Sequence, residues 1–148
     1  MFTEIRNKKA YFDYDIVEKY EAGIELLGFE VKSIKGGHGS ILGAMVVVRD
    51  NQAWLIGANI PPYQVGNTPA GYEPTRPRRL LLTKHEISEL IGKREQKGLT
   101  LIPLALYNKG GRIKVSVAVA KGRKKYDKRE VLKKRDSDRD IRRSMSGH

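Results

Sequence analysis

The 148 residues include no cysteine, which excludes a disulfide framework and any thiolate zinc site and suits a reducing compartment. Histidine is nearly as scarce. His38, His85 and His148 lie in unrelated contexts and the acids are scattered, so no acid–base pair, nucleophile–base pair or metal cluster emerges. The chain is therefore expected to have no catalytic residues, no metal and no cofactor. Long apolar runs are missing too. Met1 to Lys9 lacks the apolar centre of a signal peptide, and no stretch approaches membrane-spanning length, so a soluble, cytoplasmic chain without membrane contact is expected. The last deficit is of acid: 17 Asp and Glu stand against 29 Lys and Arg, for a net charge of +12. Such an excess favours a polyanionic partner, nucleic acid before an anionic membrane.

What is present fits one domain with a modest core, since 39% of residues are hydrophobic. The charge is uneven. Residues 121–148 hold 12 Lys and Arg against 5 Asp and Glu, a net +7, whereas residues 1–120 carry only +5.

The stretch from Gly23 to Ser33 organises the reading. Ile24, Leu26, Val31 and Ile34 are apolar, with Glu25, Glu30, Lys32 and Lys35 between them. Imperfect alternation of this kind predicts a half-buried strand, with Gly28 at a bend. Glu30, Lys32 and Lys35 then face outward from a closed sheet. Before it, Arg6 to Lys9 form a basic arm and Ala10 to Tyr14 a short strand. Asp15 with Glu18 resembles a helix cap, and Ile16, Val17 and Tyr20 make an apolar face that ends at Gly23.

Lys35 to Gly43 is glycine-rich but has neither P-loop nor dinucleotide spacing, and reads as a turn. Ala44–Arg49 and Ala53–Ala58 flank Asp50, Asn51 and Gln52 and predict a hairpin with Asn51 in the left-handed region. Residues 59–77 hold five of the six prolines. A loop of this length is commonly functional, and Tyr63, Tyr72, Arg76, Arg78 and Arg79 supply rings and cations suited to bases and phosphates. Thr83 and Glu86 make a capping box for a helix carrying Ile87, Leu90 and Ile91 and ending at Gly98. His85 has no ligand partner at metal spacing and reads as a surface residue. Leu99–Tyr107 and Arg112–Ala120 predict two strands joined through Asn108 to Gly111. The sum is a mainly β chain, a small closed antiparallel barrel of oligonucleotide-binding type with short flanking helices.

Beyond Lys121 almost no apolar side chain is available; Val131, Leu132, Ile141 and Met145 are exceptions. Two parts are expected: an RNA-binding barrel over residues 1–121 and a basic tail over 122–148, disordered until it meets an anion.

Five motifs in order resemble one known family. They are Glu30-Val31-Lys32-Ser33; Asn59-Ile60 with Pro62-Tyr63; Arg79-Leu80-Leu81-Leu82; Gly98 to Leu104; and Lys121-Gly122 with Tyr126-Asp127-Lys128-Arg129. Together they resemble the SsrA-binding (SmpB) family from about Asn7 to about Arg135. The resemblance implies an oligonucleotide-binding barrel that binds the tRNA-like domain of transfer-messenger RNA. It also implies delivery of that RNA to ribosomes stalled without a stop codon, with the tail lying as a helix in the empty mRNA channel. Matched position by position, the RNA-binding set is Asn7, Lys8, Lys9, Glu30, Lys32, Ser33, Lys35, Asn59, Tyr63, Arg78, Arg79, Lys121, Gly122, Lys124 and Lys125. The residues for rRNA at the decoding centre and mRNA channel are Tyr126, Asp127, Lys128, Arg129, Lys133, Lys134 and Arg135. A monomer is implied, meeting a translation elongation GTPase only through the shared RNA. The chain departs from the family pattern at Gly37 to Ser40, at Pro61, across 66–77, and in the acidic run from Asp136 to Asp140. The competing reading is a general single-stranded RNA-binding or ribosome-associated protein with the same barrel, and such a protein is expected to carry a row of exposed aromatics on its strands.

Overall fold

A computed structural model describes residues 4–64, 66 and 68–123. The elements run β1 (Glu4–Arg6), α1 (Lys8–Asp13), β2 (Tyr14–Ile24), α2 (Gly28–Lys35), β3 (Met45–Arg49), β4 (Gln52–Ile56), β5 (Arg78–Leu81), α3 (Lys84–Arg94), β6 (Leu99–Lys109) and β7 (Arg112–Gly122). All seven strands join one antiparallel sheet in the order β1-β6-β7-β2-β5-β4-β3.

Two tight turns follow from local chemistry. Asp50 and Asn51 have φ of 51° and 59° and connect β3 to β4, while Gly110 and Gly111, at 59° and 81°, connect β6 to β7. Two consecutive residues with positive φ match the twist of antiparallel strands, and Asn, Asp and Gly tolerate that region best.

The 11-residue strands β2, β6 and β7 form the spine. On β7, Ile113, Val115, Val117 and Val119 point into the main core, while Ala118 and Ala120 enter a smaller cluster under α1. Register shifts lie between Ile16 and Glu18 in β2 and between Pro103 and Ala105 in β6. Each inserts one residue and so exchanges the two faces of the strand. Tyr14 and Ile16 therefore pack under α1, whereas Tyr20 and Ala22 enter the main core.

The main core also takes Val46 and Val48 from edge strand β3, and Leu101 and Leu106 from β6 near the opposite edge. The sheet thus wraps around one core. Among the described strands no ladder joins β1 to β3, so the sheet is not closed by hydrogen bonds.

Three local expectations are reversed. Asp15 to Gly23 is strand, not helix, because the bulge at Val17 breaks the period-2 pattern into spacing that imitates a helical stripe. Gly28–Lys35 is helix, not strand. Its buried face is Glu30, Ser33 and Ile34, at i, i+3 and i+4, and two of the three are polar, which hid the 3.6-residue period. Ala10 to Asp13 belongs to α1, whose N-cap Asn7 accepts from the Ala10 N–H at 3.2 Å. The α3 capping box stands as expected. The helix ends at Arg94, and Gly98, with φ of 83°, leads into β6.

Candidate nucleic-acid interface

Helix α2 earns its burial through charge. Glu30 is fully buried, yet both carboxylate oxygens are satisfied. Its Oε1 accepts the Leu27 N–H at 2.7 Å and a very short bond from Arg76 Nη2. Its Oε2 accepts from Arg76 Nε at 3.1 Å and from Arg78 Nε and Nη2 at 3.0 and 2.6 Å. The Tyr72 hydroxyl lies 2.9 Å from the same oxygen and 2.8 Å from the Ile60 carbonyl, and it accepts from Arg78 Nη2 at 3.0 Å. Arg78 further donates to the carbonyls of Ala58, Pro74 and Arg76. Phe29 closes the assembly edge-on against Tyr72, with ring centroids 4.7 Å apart.

Burial pushes the Glu30 carboxyl up. The Arg76, Leu27, Arg78 and Tyr72 donors more than reverse this and hold it at about 2. Tyr72 is shifted upward by burial and by the Glu30 carboxylate. The long proline-rich loop is thereby pinned to α2 at its C-terminal part.

Four residues assigned to RNA from the sequence are buried. Glu30, Ser33 and Arg78 are wholly inaccessible and Asn7 nearly so. The expectation that Glu30 faces outward is corrected: it turns inward because two arginines await it. Ser33 Oγ donates to the His38 carbonyl at 3.1 Å, and Asn7 Nδ2 to that of Pro103 at 3.0 Å. Their chemistry is to set the backbone.

The exposed lysines of the set that the structure describes fall into two groups. Lys8 and Lys9 on α1 and Lys121 and Gly122 at the end of β7 are exposed at one end of the β2–β7 ladder. The Arg123 N–H donates to the Asp13 carbonyl there at 2.9 Å. Lys32 and Lys35 on α2 are exposed at the other end, where Lys35 Nζ reaches the Gly111 carbonyl at 3.5 Å. Lys114 and Lys121, near the two ends, are seven positions apart in β7, or about 23 Å at ~3.3 Å per residue. One nucleotide cannot bridge them.

Sequence reasoning missed several members of the second group. Arg112 and Lys114 face outward in the first half of β7, where buried and more exposed residues alternate up to Val117. Glu21, Tyr107 and Lys109 meet on the same outer surface. The Tyr107 hydroxyl donates to Glu21 at 2.7 Å and Lys109 Nζ lies 3.2 Å away. Burial and the Glu21 carboxylate push Tyr107 up to about 12, while the Tyr107 and Lys109 donors hold Glu21 low. No local signal links residues so distant in sequence.

Asn59 is exposed, its backbone bridged both ways to Ser40 at 2.8 and 2.9 Å, and Tyr63 is 49% exposed. Arg79 is half-buried, 3.5 Å from Glu25. His85 is a surface residue as expected, although Glu89, four positions on, meets its Nε2 at 2.7 Å and also accepts from Tyr20. Among the described residues no group of His, Asp or Glu is arranged to hold a metal ion, and no helix is long and apolar enough to cross a membrane. Lys124, Lys125, Tyr126, Asp127, Lys128, Arg129, Lys133, Lys134 and Arg135 lie outside the described residues.

Residues 4–147 match the family model described as "SmpB protein". An SsrA-binding protein of Cupriavidus necator is 52% identical over 141 residues, covering 95% of this chain and 94% of the relative. Another, from Trichodesmium erythraeum, is 50% identical over 139 residues, covering 94% and 89%. Among solved structures, a chain described as "tmRNA-SmpB: a journey to the center of the bacterial ribosome" superposes with a TM-score of 0.69 at 41% identity, covering 88% of this chain and 94% of that one.

Proposed function

The chain belongs to the SmpB protein family, and from that membership we propose that it binds the tRNA-like domain of transfer-messenger RNA and delivers it to stalled ribosomes for trans-translation. The observation that carries the reading is the grouping of exposed lysines of the RNA-binding set at the two ends of the β2–β7 ladder, roughly 23 Å apart, on one antiparallel sheet. A folded RNA spans such a gap, and the distance then selects for shape as well as charge.

The division of the chain follows the same logic. Residues 1–121 hold the RNA, while 122–148, with a net charge of +6, occupy the empty mRNA channel against rRNA. Lys124 and Lys125 add to the charge offered to the RNA, and residues 126–135 address the decoding centre. The protein acts in the cytoplasm as a non-catalytic monomer, and a translation elongation GTPase meets it through the shared RNA. A general single-strand binder is the weaker reading. It needs a row of stacking rings, whereas Tyr63 is the sole aromatic among the largely exposed large hydrophobic residues described.

Neutralising each end separately tests the reading. Lys8→Gln with Lys9→Gln, and Lys32→Gln with Lys35→Gln, should each weaken binding of the tRNA-like domain and flatten the plot of log K against log salt. The loss of slope is about 0.7–0.9 for each phosphate contact removed. If one pair leaves both affinity and slope at wild-type values, that end does not hold the RNA and the two-ended clamp is wrong.

A further inference from the structure

We propose that Arg76 is the arginine of the 59–77 segment that meets an RNA phosphate, and that Glu30 positions it for that contact. The proposal rests on the RNA-binding reading above and refines it. Arg76 stands near the end of that segment, and Arg78 and Arg79, the two matched to the RNA-binding set by family resemblance, follow just beyond it.

Arg78 is sealed. Its side chain is 0% exposed, and Nε, Nη1 and Nη2 are all engaged with Glu30, Tyr72 and the carbonyls of Ala58, Pro74 and Arg76. The Arg79 side chain is 41% exposed and meets Glu25, itself 55% exposed, only at 3.5 Å, so no buried carboxylate fixes the direction of its fork. Arg76 differs from both. Its side chain is 31% exposed, and Nε and Nη2 grip the two oxygens of Glu30. Its Nη1 has only a 3.5 Å approach to the Pro77 carbonyl among the described residues. A guanidinium carries five N–H donors in one plane, so the edge turned away from Glu30 keeps donors to offer.

Charge supports the same choice. Two guanidiniums share one carboxylate, which leaves an excess of one positive charge. Arg78 cannot express it, being enclosed, so it appears at Arg76. The grip of Glu30 also fixes the fork before any ligand arrives. An arginine so held loses little rotamer freedom on binding and presents a planar edge to two phosphate oxygens. The exposed lysines of α2, Lys32 and Lys35, are carried by the same helix that carries Glu30.

The test uses the full chain, a synthetic tRNA-like domain and a series of salt concentrations, with Arg76→Gln and Arg76→Lys. Arg76→Gln should weaken binding about tenfold and lower the salt slope by about 0.7–0.9. Arg76→Lys keeps the charge, so it should keep the slope while losing part of the affinity, because an ammonium cannot replace the fork. A purely structural role would harm both variants with no change of slope, and that result overturns the proposal. Wild-type affinity and slope in Arg76→Gln would overturn it as well. If the wild-type protein shows no preference for the tRNA-like domain, the functional reading fails separately, and the Arg76→Gln slope still decides whether Arg76 touches phosphate.

Discussion

Glu30→Gln is expected to lower folding stability by about 3–5 kcal/mol, the usual cost of removing one partner from a buried ion pair. The amide keeps the shape but not the charge, so Arg78 is left enclosed without a counter-ion. Its guanidinium is 0% exposed, as is Glu30 itself. For a chain of this length the loss corresponds to a fall in Tm of roughly 10 °C.

The pH dependence should carry the same signature. Glu30 has a folded-state pKa of about 2, well below its value of ~4.3 in an unfolded chain. A depressed carboxylate stabilises the fold above the unfolded value, and that contribution fades as pH falls from ~4.3 towards 2. Wild-type stability should therefore drop steeply across this window, and Glu30→Gln should show a shallower fall. Denaturant unfolding of both proteins between pH 2 and 7 decides it. A variant within about 1 kcal/mol of wild type at pH 7 would mean that the cluster is only an ornament of the fold.

The second large effect concerns the basic end of the chain. Removing residues from Tyr126 onward should leave affinity for the tRNA-like domain nearly intact at physiological salt and abolish peptide tagging on stalled ribosomes. The body keeps both cationic groups in this truncation, including Lys121, whereas the segment assigned to the mRNA channel is gone. Binding and tagging are measured separately, in purified components and in a reconstituted rescue reaction. Equal loss of both activities would refute the division of labour.

The legible parts of the fold were those whose signal was local. Thr83 and Glu86 announced α3, Asp50 and Asn51 the β3–β4 turn, and Asn108 to Gly111 the β6–β7 connection. Errors arose where a local pattern was overridden. The bulge at Val17 disguised the longest stretch of β2 as a helix. In α2 the period was carried by Glu30 and Ser33, and polar residues count as surface until their partners are known. Those partners, Arg76 and Arg78, are 46 and 48 residues away.

The same blindness shaped the reading of the site. Lys8, Lys9, Lys32, Lys35 and Lys121 were legible as cations and are exposed. Their separation into two ends was not, because it depends on where β7 begins and ends in space. Arg78 was matched to the RNA-binding set through the family motif, and its enclosure against Glu30 depends on contacts that the motif does not carry.

The most direct test of the whole account is binding of the purified chain to the tRNA-like domain of transfer-messenger RNA, with intact tRNA and a single-stranded RNA as competitors, across a salt series. Low salt alone decides nothing, since any chain of this charge binds any RNA through counterion release. The account predicts preference for the tRNA-like domain that persists at physiological salt. Equal and steeply salt-dependent binding to all three would contradict it and leave a basic protein with general affinity for RNA.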